Sequence, residues 1–133
     1  MENQFSRTEM LVGKDAVERL KGSKVAVFGV GGVGGYAVEV LARSGVGNID
    51  VFDADTVNIT NLNRQVIALH STLEQAKVDA IEKRIYDINP ACVVGKYKMF
   101  YLPENADEVD LKQYDYVVDC IDTITAKIEL IRR

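Results

Sequence analysis

Apolar positions along the chain follow two rhythms that alternate from one end to the other. Ala16, Val17 and Leu20 recur at helical spacing and predict a short amphipathic helix over Lys14–Lys21, closed by Gly22. Lys24-Val-Ala-Val-Phe28 is then a short, mostly apolar run, the pattern of a parallel strand buried on both faces. Residues 36–44 return to helical spacing and stop at Gly45. Asn48-Ile-Asp-Val-Phe52 reads as a second strand, and 54–65 as a polar loop. A helix is expected over 73–88, with Ile81, Ile85 and Ile88 on its buried face. Thr72 and Gln75 are spaced as a capping box, and Asn89-Pro90 forms its stop. Third and fourth strands are expected over 93–100 and 114–119, and a last helix begins near Ile124.

Strands alternating with helices predict an α/β, Rossmann-like doubly wound fold. Its sheet is mainly parallel, with right-handed crossovers and helices on both faces. Four strands are few for such a sheet, and the last helix runs to Arg133 without a cap or glycine. The expectation is a single domain over 1–133 that forms the N-terminal part of a larger one.

Composition narrows the class. The 133 residues are 47% hydrophobic with mixed charge, as in a soluble globular protein. No apolar run approaches the ~20 residues of a membrane span, so no membrane partner is expected. Met1-Glu-Asn-Gln-Phe5 is not a basic-then-apolar leader, which makes the cytoplasm the expected location. The net charge of −4 leaves no electrostatic footprint for nucleic acid. Cys92 and Cys120 form neither a CxxC pair nor a zinc-type spacing.

The polar residues carry the chemistry. Between the first strand and its helix lies Gly29-Val-Gly31-Gly32-Val-Gly34. Gly29 permits the tight turn, Gly31 lets a phosphate approach the backbone, and Gly34 lets the helix pack on the strand. The helix start then offers free N–H groups and a partial positive charge. A plain strand-turn-helix that needs small residues is the alternative. Asp53, about 20 residues on, closes the second strand where an acid accepts ribose hydroxyls; a solvated turn aspartate is its plainer reading. Asp55 could orient Arg64, approach a metal, or serve only the turn.

Gly29 to Asp53 alone would suit an NAD-dependent oxidoreductase. Arg64 and Lys77 point instead to a triphosphate, because catalysis at a phosphate needs cations to offset transition-state charge. Lys77 also falls near a helix start, where a cation costs ~0.3–1 kcal/mol unless an anion is present. Each cation alone would more often be a surface charge; together with Asn61 they form a site. Asp119-Cys120-Ile-Asp122 lies at the carboxyl end of the fourth strand, the edge where open parallel sheets bind ligands. Asp122 could hold magnesium through hard oxygens, Cys120 reads as a strand-end thiol, and His70 as a surface or capping residue.

These residues, as Gly29-Val-Gly-Gly-Val-Gly34, Asp53-Ala-Asp55-Thr-Val57, Asn61-Leu62-Asn-Arg64-Gln65, Lys77 and Asp119 to Asp122, resemble the ubiquitin-activating-like (ThiF/MoeB/HesA) adenylating superfamily. The resemblance implies ATP and magnesium as cofactors, with Asp53 on the ribose, Asn61, Arg64 and Lys77 on the phosphates, and Asp122 on the metal. Gly29, Gly31, Gly32, Gly34, Asp55 and Gln65 complete the nucleotide set. It also implies a homodimer in which an N-terminal arginine, here Arg7, reaches the partner's nucleotide. Within the superfamily, Arg7-Thr-Glu-Met-Leu-Val-Gly13, Ala42-Arg-Ser-Gly45 and Asn61 to Leu69 are most similar to the tRNA threonylcarbamoyladenosine dehydratases. Those enzymes adenylate a carboxylate on a modified tRNA adenosine, which cyclises with loss of water. The implied partner is thus tRNA carrying threonylcarbamoyladenosine. Adenylation of a sulfur-carrier protein is the alternative, and a non-catalytic nucleotide-binding module is the alternative from another class.

Overall fold

The computed structural model describes residues 2–133 and is built on a four-stranded sheet in the order β3-β2-β1-β4. The strands are β1 (Lys24–Phe28), β2 (Asn48–Phe52), β3 (Val93–Tyr97) and β4 (Tyr116–Asp119). All three pairings are parallel. Around them stand α1 (Ser6–Val12), α2 (Lys14–Lys21), α3 (Gly32–Ser44), α4 (Lys77–Ile88) and α5 (Ile124–Arg132).

The strand order explains how the layers form. α3 joins β1 to β2 and α4 joins β2 to β3, steps in the same direction, so right-handed crossing lays both helices on one face. The return from β3 to β4 passes back across β1 and leaves α5 on the other face. The fold is therefore doubly wound. Side chains alternate accordingly: Val25, Val27, Ile49 and Val51 enter the α3/α4 core, while Ala26, Phe28 and Phe52 enter the opposite one.

The first core is aliphatic, filled by Val38, Ala42, Ile81 and Ile85 from the helices. The second is smaller and aromatic. Phe28 stacks on Phe52 at 4.3 Å between centroids, and Tyr101 meets Phe28 edge-on at 4.9 Å. Asp50, 6% exposed, stands mid-strand beside them. The Tyr114 hydroxyl donates to it at 2.7 Å. Gly95 on the neighbouring strand makes room, since a Cβ there would lie 2.3 Å from the Asp50 carboxylate. Burial, then the bond to Asp50, pushes the Tyr114 phenol far above its ordinary pKa.

Several boundaries differ from the sequence expectation. α4 begins at Lys77, not at residue 73, because 74–76 pair with the chain at 55–57. Glu74 N–H donates to Val57 O (2.9 Å), Val57 N–H to Gln75 O (2.8 Å) and Lys77 N–H to Asp55 O (3.0 Å). Glu74 takes a left-handed φ of 69°, which a helix cannot contain. Thr72 caps nothing helical in α4; its hydroxyl accepts from Leu69 N–H and donates to Ile67 O. α3 starts at Gly32, ahead of residue 36, because packing keeps the glycines helical. β3 stops at Tyr97, and Tyr114 is drawn off β4 to Asp50. α1 has no buried residue, so no apolar period announced it.

Candidate functional site

A cleft of about 830 Å³ opens at the carboxyl ends of the strands, where the glycine loop meets the chain after β2, β3 and β4. Gly29 leaves β1 with φ 91°, and a Cβ there would lie 2.5 Å from the Cys120 carbonyl oxygen. Gly34 is held tighter still, its Cβ position only 1.6 Å from the Gly29 carbonyl oxygen. The first turn of α3 is thus pressed onto the loop, and Gly34 acts in packing rather than in lining the cleft. Residues 64–66 run over the start of α3, with the Gln65 amide over Gly31, the Arg64 stem over Gly32 and Val66 over Gly35.

Asp53 ties the loop together. Its Oδ2 accepts Val30 N–H at 2.9 Å and its Oδ1 accepts Asp55 N–H at 2.8 Å. Each carboxylate oxygen has a second lone pair, so hydroxyl donors can still be accepted. Asn61 is buried and shapes the 58–61 turn: its Oδ1 accepts Asn58 N–H at 2.8 Å, and its carbonyl accepts Gln65 N–H at 2.9 Å. It does not line the cleft, but it sets where Arg64 and Gln65 stand.

The Arg64 guanidinium is steadied by Nη1 bonds to Thr60 O (3.2 Å) and Asn63 Oδ1 (2.9 Å), leaving its other N–H groups free of protein bonds. Lys77 is 6% exposed and is the first residue of α4. Its Nζ lies 3.9 Å from the exposed Asp55 carboxylate. A cation at that position opposes the helix dipole, and a partly solvated carboxylate is a weak counterweight. Gln65 Oε1 is buried without a hydrogen-bond partner, a state costing about 1–3 kcal/mol. Buried, unsatisfied and cationic groups therefore converge on one cleft that also presents a helix N-terminus.

Across the cleft, Asp119 ends β4, and its Oδ1 accepts both Ile121 N–H and Lys127 Nζ at 3.1 Å. Asp122 is exposed at the cleft wall. Among the described residues no group of three or more His, Cys, Asp or Glu side chains is placed to hold a metal ion. Burial, followed by the charge of Asp119, raises the Cys120 thiol pKa, and burial pushes the Cys92 thiol up to about 11. Neither is an activated thiolate. His70 is exposed and lies outside the cleft.

Arg7 is not brought to this cleft. α1 follows Gln4, which bonds Ile88 O at 2.8 Å, and Phe5, which covers Gly45. Both contacts lie where α3 and α4 end, at the amino edge of the sheet. Two features escaped sequence reasoning. The chain turns at 98–100 to wall the cleft with Met99, Phe100, Tyr101 and Leu102, and Lys127 reaches it from α5. Met99 and Phe100 had read as the end of a strand; Lys127 carried no signal beyond its position in the first turn of a helix.

The sequence and the fold have known relatives. Residues 5–133 match the ThiF family. The tRNA threonylcarbamoyladenosine dehydratase of Bacillus subtilis is 54% identical over 132 residues, covering 99% of this chain and 52% of that protein. The crystal structure of the E. coli tRNA N6-threonylcarbamoyladenosine dehydratase with AMP superposes with a TM-score of 0.93 at 39% identity, over 96% of this chain and 53% of that one. Its complex with ATP gives 0.90 over the same shares. The sulfur carrier protein adenylyltransferase of Thermus thermophilus is 36% identical over 116 residues, covering 87% of this chain and 42% of it. The chain spans about half the length of the curated relatives it matches.

Proposed function

Because the chain belongs to the ThiF family, we propose that its cleft binds ATP and activates a carboxylate by adenylation, as the nucleotide-binding part of a longer enzyme. The observation that carries this reading is the pairing of Arg64 with a buried Lys77 beside the glycine loop. Two cations and a helix N-terminus suit a triphosphate. A dinucleotide needs only the loop and an acid at the strand end.

In this reading Gly29, Gly31, Gly32 and the start of α3 cradle phosphate, while Asp53 accepts the ribose hydroxyls. Gln65 Oε1 accepts a nucleoside donor. Asn61 and Asp55 act through the residues they hold, Asn61 by placing Arg64 and Asp55 by facing Lys77. The acceptor carboxylate attacks the α-phosphate, an acyl-adenylate forms, and pyrophosphate leaves. Arg64 and Lys77 offset the charge that grows on the phosphate oxygens, and no side-chain nucleophile is needed. Magnesium fits the donor set: Asp122 offers a hard oxygen at the cleft wall, and magnesium takes one or two carboxylates with the rest from phosphates and water. Bound there, it would neutralise phosphate charge.

The substrate in this reading is tRNA carrying threonylcarbamoyladenosine, supported by the identity to the Bacillus subtilis dehydratase. The cytoplasm follows from that substrate, and no helix among the described residues is long and apolar enough to cross a membrane. A sulfur-carrier protein is the second reading, supported by the Thermus relative. Arg7, at the far edge of its own sheet, serves a nucleotide only in a second copy, which supports a homodimer. Arg64→Ala and Lys77→Met test the nucleotide assignment. Each should weaken ATP binding by about tenfold or more with thermal stability nearly unchanged; a collapse in stability with ATP affinity intact would make the charges structural.

A further inference from the structure

Lys127 has no role in the reading above, yet it is the third cation lining the cleft, after Arg64 and Lys77. Its placement repeats that of Lys77 on the opposite side of the sheet. Lys77 opens α4 and faces Asp55 at 3.9 Å; Lys127 lies in the first turn of α5 and faces Asp119 at 3.1 Å. Both lysines sit where the helix dipole disfavours a cation, and both are held by an aspartate at or just beyond the carboxyl end of a strand. One pair flanks the cleft from the α3/α4 face and the other from the α5 face.

The charge balance of the cleft gives the second pair a purpose. Four carboxylates, of Asp53, Asp55, Asp119 and Asp122, line it against three cations. A polyanion entering this net-negative space requires every available cation to turn toward it. Lys127 is free to do so, because its side chain is 40% exposed and only one of its three N–H donors is bonded in the structure, to Asp119 Oδ1. Asp119 Oδ1 retains the Ile121 N–H when the lysine leaves. We propose that Lys127 is a second phosphate-binding lysine, held here by Asp119 and transferred to the phosphate chain of a bound nucleotide. This inference rests on the nucleotide reading of the site.

The test is equilibrium binding of adenosine, AMP and ATP with magnesium to the wild-type chain, Lys127→Met and Lys127→Arg. Lys127→Met should lose about tenfold in ATP affinity, less for AMP, and nothing for adenosine, and Lys127→Arg should restore most of the loss. Unchanged ATP affinity in Lys127→Met would overturn the inference while leaving the nucleotide site intact. So would an equal loss for adenosine, which marks a lysine that merely holds the loop around Asp119. If the wild-type chain bound none of the three, the nucleotide reading itself would fall, and this inference with it.

Discussion

The two faces of the sheet solve the same problem with different material. On the α3/α4 face, two full helices interlock over valines and isoleucines, and Ile49, Ile81 and Ile85 are completely buried. On the other face, the return from β3 to β4 is made of short turns, the core is an aromatic stack, and α5 shows Ile124, Ile128 and Ile131 to the outside. The cleft lies where the faces meet. Its first wall, 53–77, is braced by backbone pairs and capped turns; its second, 99–102 and 119–127, is thinly supported. Arg64 and Lys77 are positioned from the densely packed side, and Lys127 from the other.

Cavity formation should separate the faces most strongly. Ile81→Ala is expected to cost about 2–5 kcal/mol in urea unfolding, and Leu130→Ala on the second face to fall at or below the low end of that range. A Leu130 loss as large as the Ile81 loss would erase the distinction. Next comes Gly34→Ala, whose methyl meets the Gly29 carbonyl. It should destabilise by about 1–3 kcal/mol through overpacking and abolish nucleotide binding by moving the loop, as calorimetry with ATP would show.

Two tyrosines sharpen the account of the second face. Tyr114→Phe removes the hydroxyl that satisfies buried Asp50 and should cost about 1–3 kcal/mol. Tyr101→Phe removes a buried hydroxyl without a partner and should be neutral or slightly stabilising. Equal losses in thermal denaturation would contradict the assignment. The smallest effect belongs to the first face. The Arg84 bond, aided by Arg43, holds the Glu39 carboxyl below its usual range despite opposing burial. A depressed carboxylate stabilises above its unfolded pKa and loses that contribution as pH falls through the folded one. The stability gap between wild type and Glu39→Gln should therefore persist from neutral pH down to the ordinary carboxylate pKa, then close in acid. A gap that widened in acid would reverse the sign.

Legibility followed the same division. β1, β2 and the glycine loop were readable because every residue of the two strands after the first is buried on one face or the other, and because Gly29 and Gly34 answer to steric demands. The start of α4 was not: pairing of 74–76 with 55–57 is a long-range choice, and it overrode a plausible capping box. That same pairing puts Lys77 beside Asp55, so the feature that hid the helix boundary also builds the site. Met99 and Phe100, the first half of the wall at 99–102, read as the end of a strand because apolar residues alone do not separate a strand from a turn. Asn61 read as a phosphate ligand; its Oδ1 shapes the 58–61 turn, and its side chain stands outside the cleft lining.

The central claim is that this cleft is made for a triphosphate. Calorimetric titration of the chain with ATP and magnesium, and in parallel with NAD, tests it most directly. Saturable heat with ATP and none with NAD is the predicted result. Binding of NAD in place of ATP would contradict it, reducing Arg64 and Lys77 to structural charges beside a dinucleotide loop.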